Sequence, residues 1–193
     1  KNIDNEKDLI LNITKWIINS ISKIHKDVDV IDHHPLTIIE RKFGTNDQFS
    51  DLLSVLLVYS NIESFYLKNF NNYSHPLTFF KTKDHWSLID PYYGIFFTNK
   101  ERLFASIEDL KNGNWEISNL KFDKINNLNF NSIFGKTFIS YDAIKNYYTK
   151  IFYYLPTNKE IENTHIFDRG GRAYTQKPLS RIKYIMYKKI KKY

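Results

Sequence analysis

Gly44-Thr45-Asn46-Asp47-Gln48-Phe49-Ser50-Asp51-Leu52-Leu53, His75-Pro76-Leu77-Thr78-Phe79-Phe80 and His85-Trp86-Ser87-Leu88-Ile89-Asp90-Pro91-Tyr92-Tyr93-Gly94 are the stretches whose reading decides the fold. The first is a glycine turn running into an apolar segment. Phe49, Leu52, Leu53, Leu56 and Leu57 fall on one stripe at helical spacing, which predicts a helix from about Asp47 to Tyr59 buried against a sheet. The second opens a strand at a histidine. The third is a strand closed by an aspartate. A turn into a helix, a strand-opening histidine and a strand-closing aspartate is how a nucleophile, a base and an orienting acid are commonly set out. The nucleophile's place is held by Asn46.

Outward from this centre the pattern is helix, then strands. Upstream, Leu9, Ile10, Ile13, Trp16, Ile17, Ile21 and Ile24 predict an amphipathic helix over 6–25. Asp32-His33-His34-Pro35 breaks regularity before a short segment at Leu36–Glu40. Downstream, Ile62–Lys68, Leu77–Lys81, Trp86–Ile89 and Gly94–Thr98 read as strands. Asn69–Ser74 and Thr82-Lys83-Asp84 read as turns, with His85 a turn residue. A helix followed by consecutive antiparallel strands predicts an α+β layered fold. Ser106–Leu110 reads as a capped helix, 118–137 as an asparagine-rich loop, Tyr141–Leu155 as a helix stopped by Pro156, and 157–178 as an irregular loop. The expected division is a domain over 1–140 and a helical, basic extension over 141–193.

These residues resemble the transglutaminase-like superfamily, which shares the papain-like core. Gly44, Asn46 and Ser50 stand where that family has a glycine, the nucleophilic cysteine and a small residue on the helix. His75 with Leu77, Phe79 and Phe80 matches its histidine strand, without the family's glutamate. Trp86, Leu88, Asp90 and Pro91 match its tryptophan and closing Leu-x-Asp-Pro. Asp90-Pro91-Tyr92-Tyr93-Gly94 and Ser106-Ile107-Glu108-Asp109-Leu110 further resemble relatives encoded beside bacterial surface-polysaccharide genes.

The resemblance implies a Cys-His-Asp site at Asn46, His75 and Asp90. A cysteine at a helix N-terminus gains thiolate character there, and the aspartate fixes the tautomer of the histidine. The chain has no cysteine, so neither a thiol nucleophile nor a disulfide framework is available. The implied function is a degenerate, non-catalytic protein whose cleft binds or scaffolds, in bacterial surface-glycan assembly. The alternatives are an amide or ester hydrolase or acyltransferase with another nucleophile, and a membrane-surface adaptor. Each residue also has a structural reading: Asn46 as a helix cap, His75 and Asp90 as a hydrogen-bonded brace of the sheet.

Further binding candidates are Trp86 in the third stretch and Arg169 and Arg172 in Asp168-Arg169-Gly170-Gly171-Arg172, whose guanidiniums suit a carboxylate or phosphate. No cofactor is expected. No metal site is expected either, because adjacent His33 and His34 project apart and no carboxylate motif completes a set. The expected cleft partner is a small molecule, a glycan or a protein. The net charge of +7 admits anionic partners. At the C-terminal end, Leu179, Ile182, Ile185, Met186 and Ile190 form one helical side, with Arg181, Lys183, Lys188, Lys189, Lys191 and Lys192 on the rest. That face suits an anionic membrane surface, or else packs as core and leaves its charges in water. No nucleic-acid-binding module is recognisable. No apolar run is long enough to cross a bilayer, and the expected location is cytoplasmic or peripheral to an inner membrane.

Overall fold

The computed structural model describes residues 3–24, 34–101, 103–120 and 140–164, with Asp168 and Lys183. The chain opens with helix α1 (Ile3–Ser20), strand β1 (Ser22–Lys23), helix α2 (Pro35–Arg41), strand β2 (Phe43–Gly44) and helix α3 (Asn46–Tyr59). Strands β3 (Ser64–Phe70), β4 (Tyr73–Lys81), β5 (Trp86–Asp90) and β6 (Ile95–Thr98) follow. Helix α4 (Ile107–Lys111), strand β7 (Glu116–Asn119), and helices α5 (Tyr141–Tyr153) and α6 (Asn158–Asn163) come last. Strands β3 to β7 form one five-stranded sheet in sequence order, every pair antiparallel. The α+β class read from the sequence is therefore the observed one.

Both faces of the sheet are covered, and period-two alternation along the strands decides which residues go where. On one face Phe80 and Ile89 join Ile10 and Ile17 of α1 and Phe49, Leu52 and Leu53 of α3. On the other, Leu77, Phe79, Leu88 and Phe97 join Ile144, Tyr148, Ile151 and Phe152 of α5 and Ile161 of α6. The boundary expected at 140/141 thus falls between two contributors to one hydrophobic cluster. Among the described residues no helix is long and apolar enough to cross a membrane.

Several elements differ from their expected bounds, each for a local reason. Helix α1 stops at Ser20 although the apolar spacing continues, because Ser22 and Lys23 leave to pair in parallel with Phe43 and Gly44. The turn expected over Asn69–Ser74 narrows to two residues: Phe70 pairs with Tyr73, and Asn71 takes the left-handed conformation (φ 53°) that asparagine tolerates. Helix α3 begins one residue early, with Thr45 at the cap position and Asn46 as the first helical residue. The Gln48 side chain turns back to accept the Thr45 N–H at 3.1 Å, and Arg41 Nη2 donates to the same oxygen. Helix α6 lies where a loop was expected, and strand β7 reaches two residues into the loop expected from 118.

Candidate functional site

Asp90 is the last residue of β5, and its carboxylate shapes the turn that follows. Oδ1 accepts the backbone N–H of Tyr92 at 3.0 Å and of Tyr93 at 3.1 Å, the local turn that an aspartate before a proline favours. Gly94 then reverses the chain with φ at +67°. A Cβ there would come within 2.9 Å of Ile18 Cδ1, the movable end of that side chain, so it is the backbone angle that calls for glycine.

His75 lies on β4, where the β3 ladder passes from the Leu67–Leu77 pair to the Asn69–Ser74 pair and so sets His75 and Pro76 against Lys68 alone. This is a bulge, a place where Pro76 need not donate to a ladder and where a side chain can be re-aimed. Extending the β4–β5 register one step past Thr78–Ile89 sets Asp90 opposite Leu77, with His75 diagonal to it. His75 Nε2 lies 2.6 Å from Asp90 Oδ2. The same oxygen accepts the Tyr148 hydroxyl of α5 at 2.5 Å. The carboxylate therefore takes four hydrogen bonds while fully buried.

These partners set the protonation of the group. Burial, the largest single influence, pushes the Asp90 carboxyl up. The charge of His75 and the hydrogen bonds from His75, Tyr148 and the Tyr93 N–H outweigh it and hold Asp90 below the usual carboxylate value. A carboxylate on Nε2 requires the hydrogen there, so in the neutral ring Nδ1 is an acceptor. The Tyr147 hydroxyl meets Nδ1 at 3.1 Å. Burial and then the negative charge of Asp90 push the Tyr147 phenol up to about 12, and the same two causes push Tyr148 well above its ordinary value. Tyr93 stacks on the imidazole with centroids 6.2 Å apart, and Tyr147 and Tyr148 meet it edge-on at 5.3 and 5.5 Å. The centre is a carboxylate–imidazole pair enclosed by three tyrosines.

Asn46 makes no hydrogen bond to this pair among the described residues. Helix α3 packs on the opposite face of the sheet, where Thr78 Oγ1 donates to the Ser50 carbonyl and Lys68 meets Asp47 at 3.0 Å. Its first turn is level with His75 along the strands, but all the polar partners of His75 lie on the α5 side. Asn46 Oδ1 accepts the Asp47 N–H at 2.9 Å, so its side chain serves its own helix. Among the described residues no hydrogen bond or ring contact joins Asn46 to His75 or Asp90.

The remaining candidates separate as follows. Trp86 is 1 % exposed and its indole N–H donates to Glu162 of α6 at 2.7 Å. Lys81 reaches the same carboxylate at 2.7 Å. Trp86 thus ties α6 to the sheet through its indole N–H. Arg169, Arg172 and the basic segment, Lys183 apart, lie outside the described residues. His34 caps α2, its Nδ1 accepting the Leu36 N–H at 3.3 Å. His85 closes the β4–β5 turn, its N–H donating to Thr82 Oγ1.

Sequence reasoning missed Tyr147 and Tyr148. A signal was present: Ile144, Tyr148 and Ile151 share one helical stripe, so the Tyr148 hydroxyl had to be buried and had to find an acceptor. No family model, no curated protein and no solved structure matches this chain.

Proposed function

We propose that this chain is a degenerate transglutaminase-like protein that binds or scaffolds without catalysis, the His75–Asp90 pair being retained as a brace. One observation carries the reading. Both imidazole nitrogens are engaged by the protein's own groups, Nε2 by Asp90 and Nδ1 by Tyr147, so neither is left to activate a nucleophile at position 46. The absence of any cysteine and the local use of the Asn46 amide point the same way. The resemblance to proteins encoded beside surface-polysaccharide genes makes a saccharide the first ligand class to test. The partly exposed tyrosines beside the pair, Tyr73, Tyr147 and Tyr154, give it amphipathic ring surface to meet. The test is turnover of p-nitrophenyl acetate and of an activated amide by the wild-type chain and by His75→Gln. Equal, background rates are expected; turnover that depends on His75 overturns the proposal.

One observation favours an active enzyme. Tyr147 Oη meets Nδ1 while the carboxylate holds Nε2, the order acid–imidazole–nucleophile with a phenol in the thiol's place. Against it, a phenol pushed up to about 12 is deprotonated only at great cost near neutrality. Ester turnover abolished by Tyr147→Phe would establish this second reading.

A further inference from the structure

At the other end of the sheet from His75, the β4–β5 turn, the start of α1 and the segment at 103–104 line a pocket of ≈ 80 Å³, partly open to solvent. Its floor is apolar, made by Ile10, Leu103 and Phe104. Its rim carries both signs of charge: Glu6 and Lys7 from α1, Lys83 and Asp84 from the turn.

Two contacts fix this arrangement. The Lys7 ammonium lies 6.0 Å from the Phe104 ring centroid, over the floor. His85 Nε2 lies 3.1 Å from the Phe104 carbonyl oxygen. A carbonyl only accepts, so Nε2 carries the hydrogen and the neutral ring keeps Nδ1 as an acceptor on a pocket-lining residue.

We propose that this pocket is a binding site for a small zwitterion with an apolar body, a free branched or aromatic α-amino acid. An apolar floor selects the side chain. Cations from two elements suit the carboxylate, and Glu6, Asp84 and His85 Nδ1 are acceptors for the ammonium. A fatty acid or an alkylamine satisfies one sign of the rim and leaves the other facing apolar surface. This inference is independent of the reading of the His75–Asp90 centre.

The test is amide-resonance titration of the full chain with L-leucine and L-phenylalanine, beside isocaproate and isoamylamine, which each lack one charge. Saturable shifts confined to residues 82–85 and 103–104 are expected for the amino acids. Each half-charged analogue should bind about tenfold more weakly, the worth of one charge-assisted hydrogen bond. Lys83→Gln and Asp84→Asn, both at exposed turn positions, should each weaken leucine several-fold without moving the melting temperature. No saturable shift with either amino acid, isocaproate or isoamylamine binding as tightly as leucine, or shifts centred elsewhere would each overturn the proposal.

Discussion

Asp90 concentrates more consequence than any other single residue described. Its carboxylate is fully buried and accepts from His75, Tyr148 and two backbone N–H groups, so Asp90→Asn introduces a donor pair where only donors converge. Breaking a buried pair of this kind costs about 3–5 kcal/mol. The pH dependence has a definite sign. A carboxyl held below its ordinary value in the folded state contributes stability that is complete above the unfolded value, about 3.9, and is lost as pH falls through the folded value. Urea unfolding of wild type and Asp90→Asn should therefore differ most above about pH 5 and converge in stronger acid. A gap that stays constant from pH 6 to pH 3 would show that the charge of Asp90 is not what the site stabilises. Around it, Tyr147→Phe should cost about 1 kcal/mol, while Tyr148→Phe, which strips a donor from a buried charge, should cost about 1.5–3 kcal/mol. Equal losses in the same unfolding measurement would contradict the assigned hydrogen bonds. Asp90 was legible because an Asp-Pro turn is a local pattern, whereas His75, expected to open its strand, is the third residue of β4. Their tyrosine partners lie far along a chain of 14 tyrosines, where residue type alone singles out none.

Helix α3 tests what the missing nucleophile means at the level of an element. Its stripe of Phe49, Leu52, Leu53 and Leu57 made the helix readable, and the same residues bury it against the sheet. The sequence did not disclose which face of the sheet would hold the histidine. The bulge at His75 and Pro76 is a property of cross-strand register, and a single strand's alternation does not specify it. The same limit hid β7, whose alternation in Glu116–Asn119 is too short to stand out without its partner β6. The geometry predicts the behaviour of Asn46→Cys. A thiol at the first position of a 14-residue helix feels the helix dipole, which lowers its pKa by about half a unit. It should not gain an imidazole partner, because Asp90 and Tyr147 already engage both nitrogens of His75. The iodoacetamide rate of Asn46→Cys should rise with pH along one titration just below the free-thiol value of about 8.5. A plateau of fast alkylation reaching down to pH 5–6 would reveal a thiolate–imidazolium pair and restore the three-residue site.

The whole molecule turns on where its core ends. Ile144, Tyr148, Ile151, Phe152, Leu155 and Ile161 are buried in the cluster that also holds Phe79, Trp86 and Leu88. At about 1.5–3 kcal/mol for each large apolar side chain, their removal forfeits on the order of 10 kcal/mol, as much as a domain's entire net stability. It also strips Tyr147 and Tyr148 from the His75–Asp90 pair. A chain ending at residue 139 should therefore fail to fold, showing no cooperative melting transition. The segment 179–193 presents a different case, since its apolar stripe and lysines are segregated at the spacing of a surface helix. If it serves an anionic surface, a chain ending at Pro178 should melt within a few degrees of the full chain yet lose sedimentation with phosphatidylserine vesicles. Each lysine near such a leaflet is worth about 1 kcal/mol, and salt should weaken the full chain's binding as the Debye length shrinks below about 10 Å. Lowered melting with unchanged vesicle binding would instead assign the stripe to the core. Because α5 and α6 pack in this cluster, the two truncations test separately the helices that build the described core and the segment 179–193.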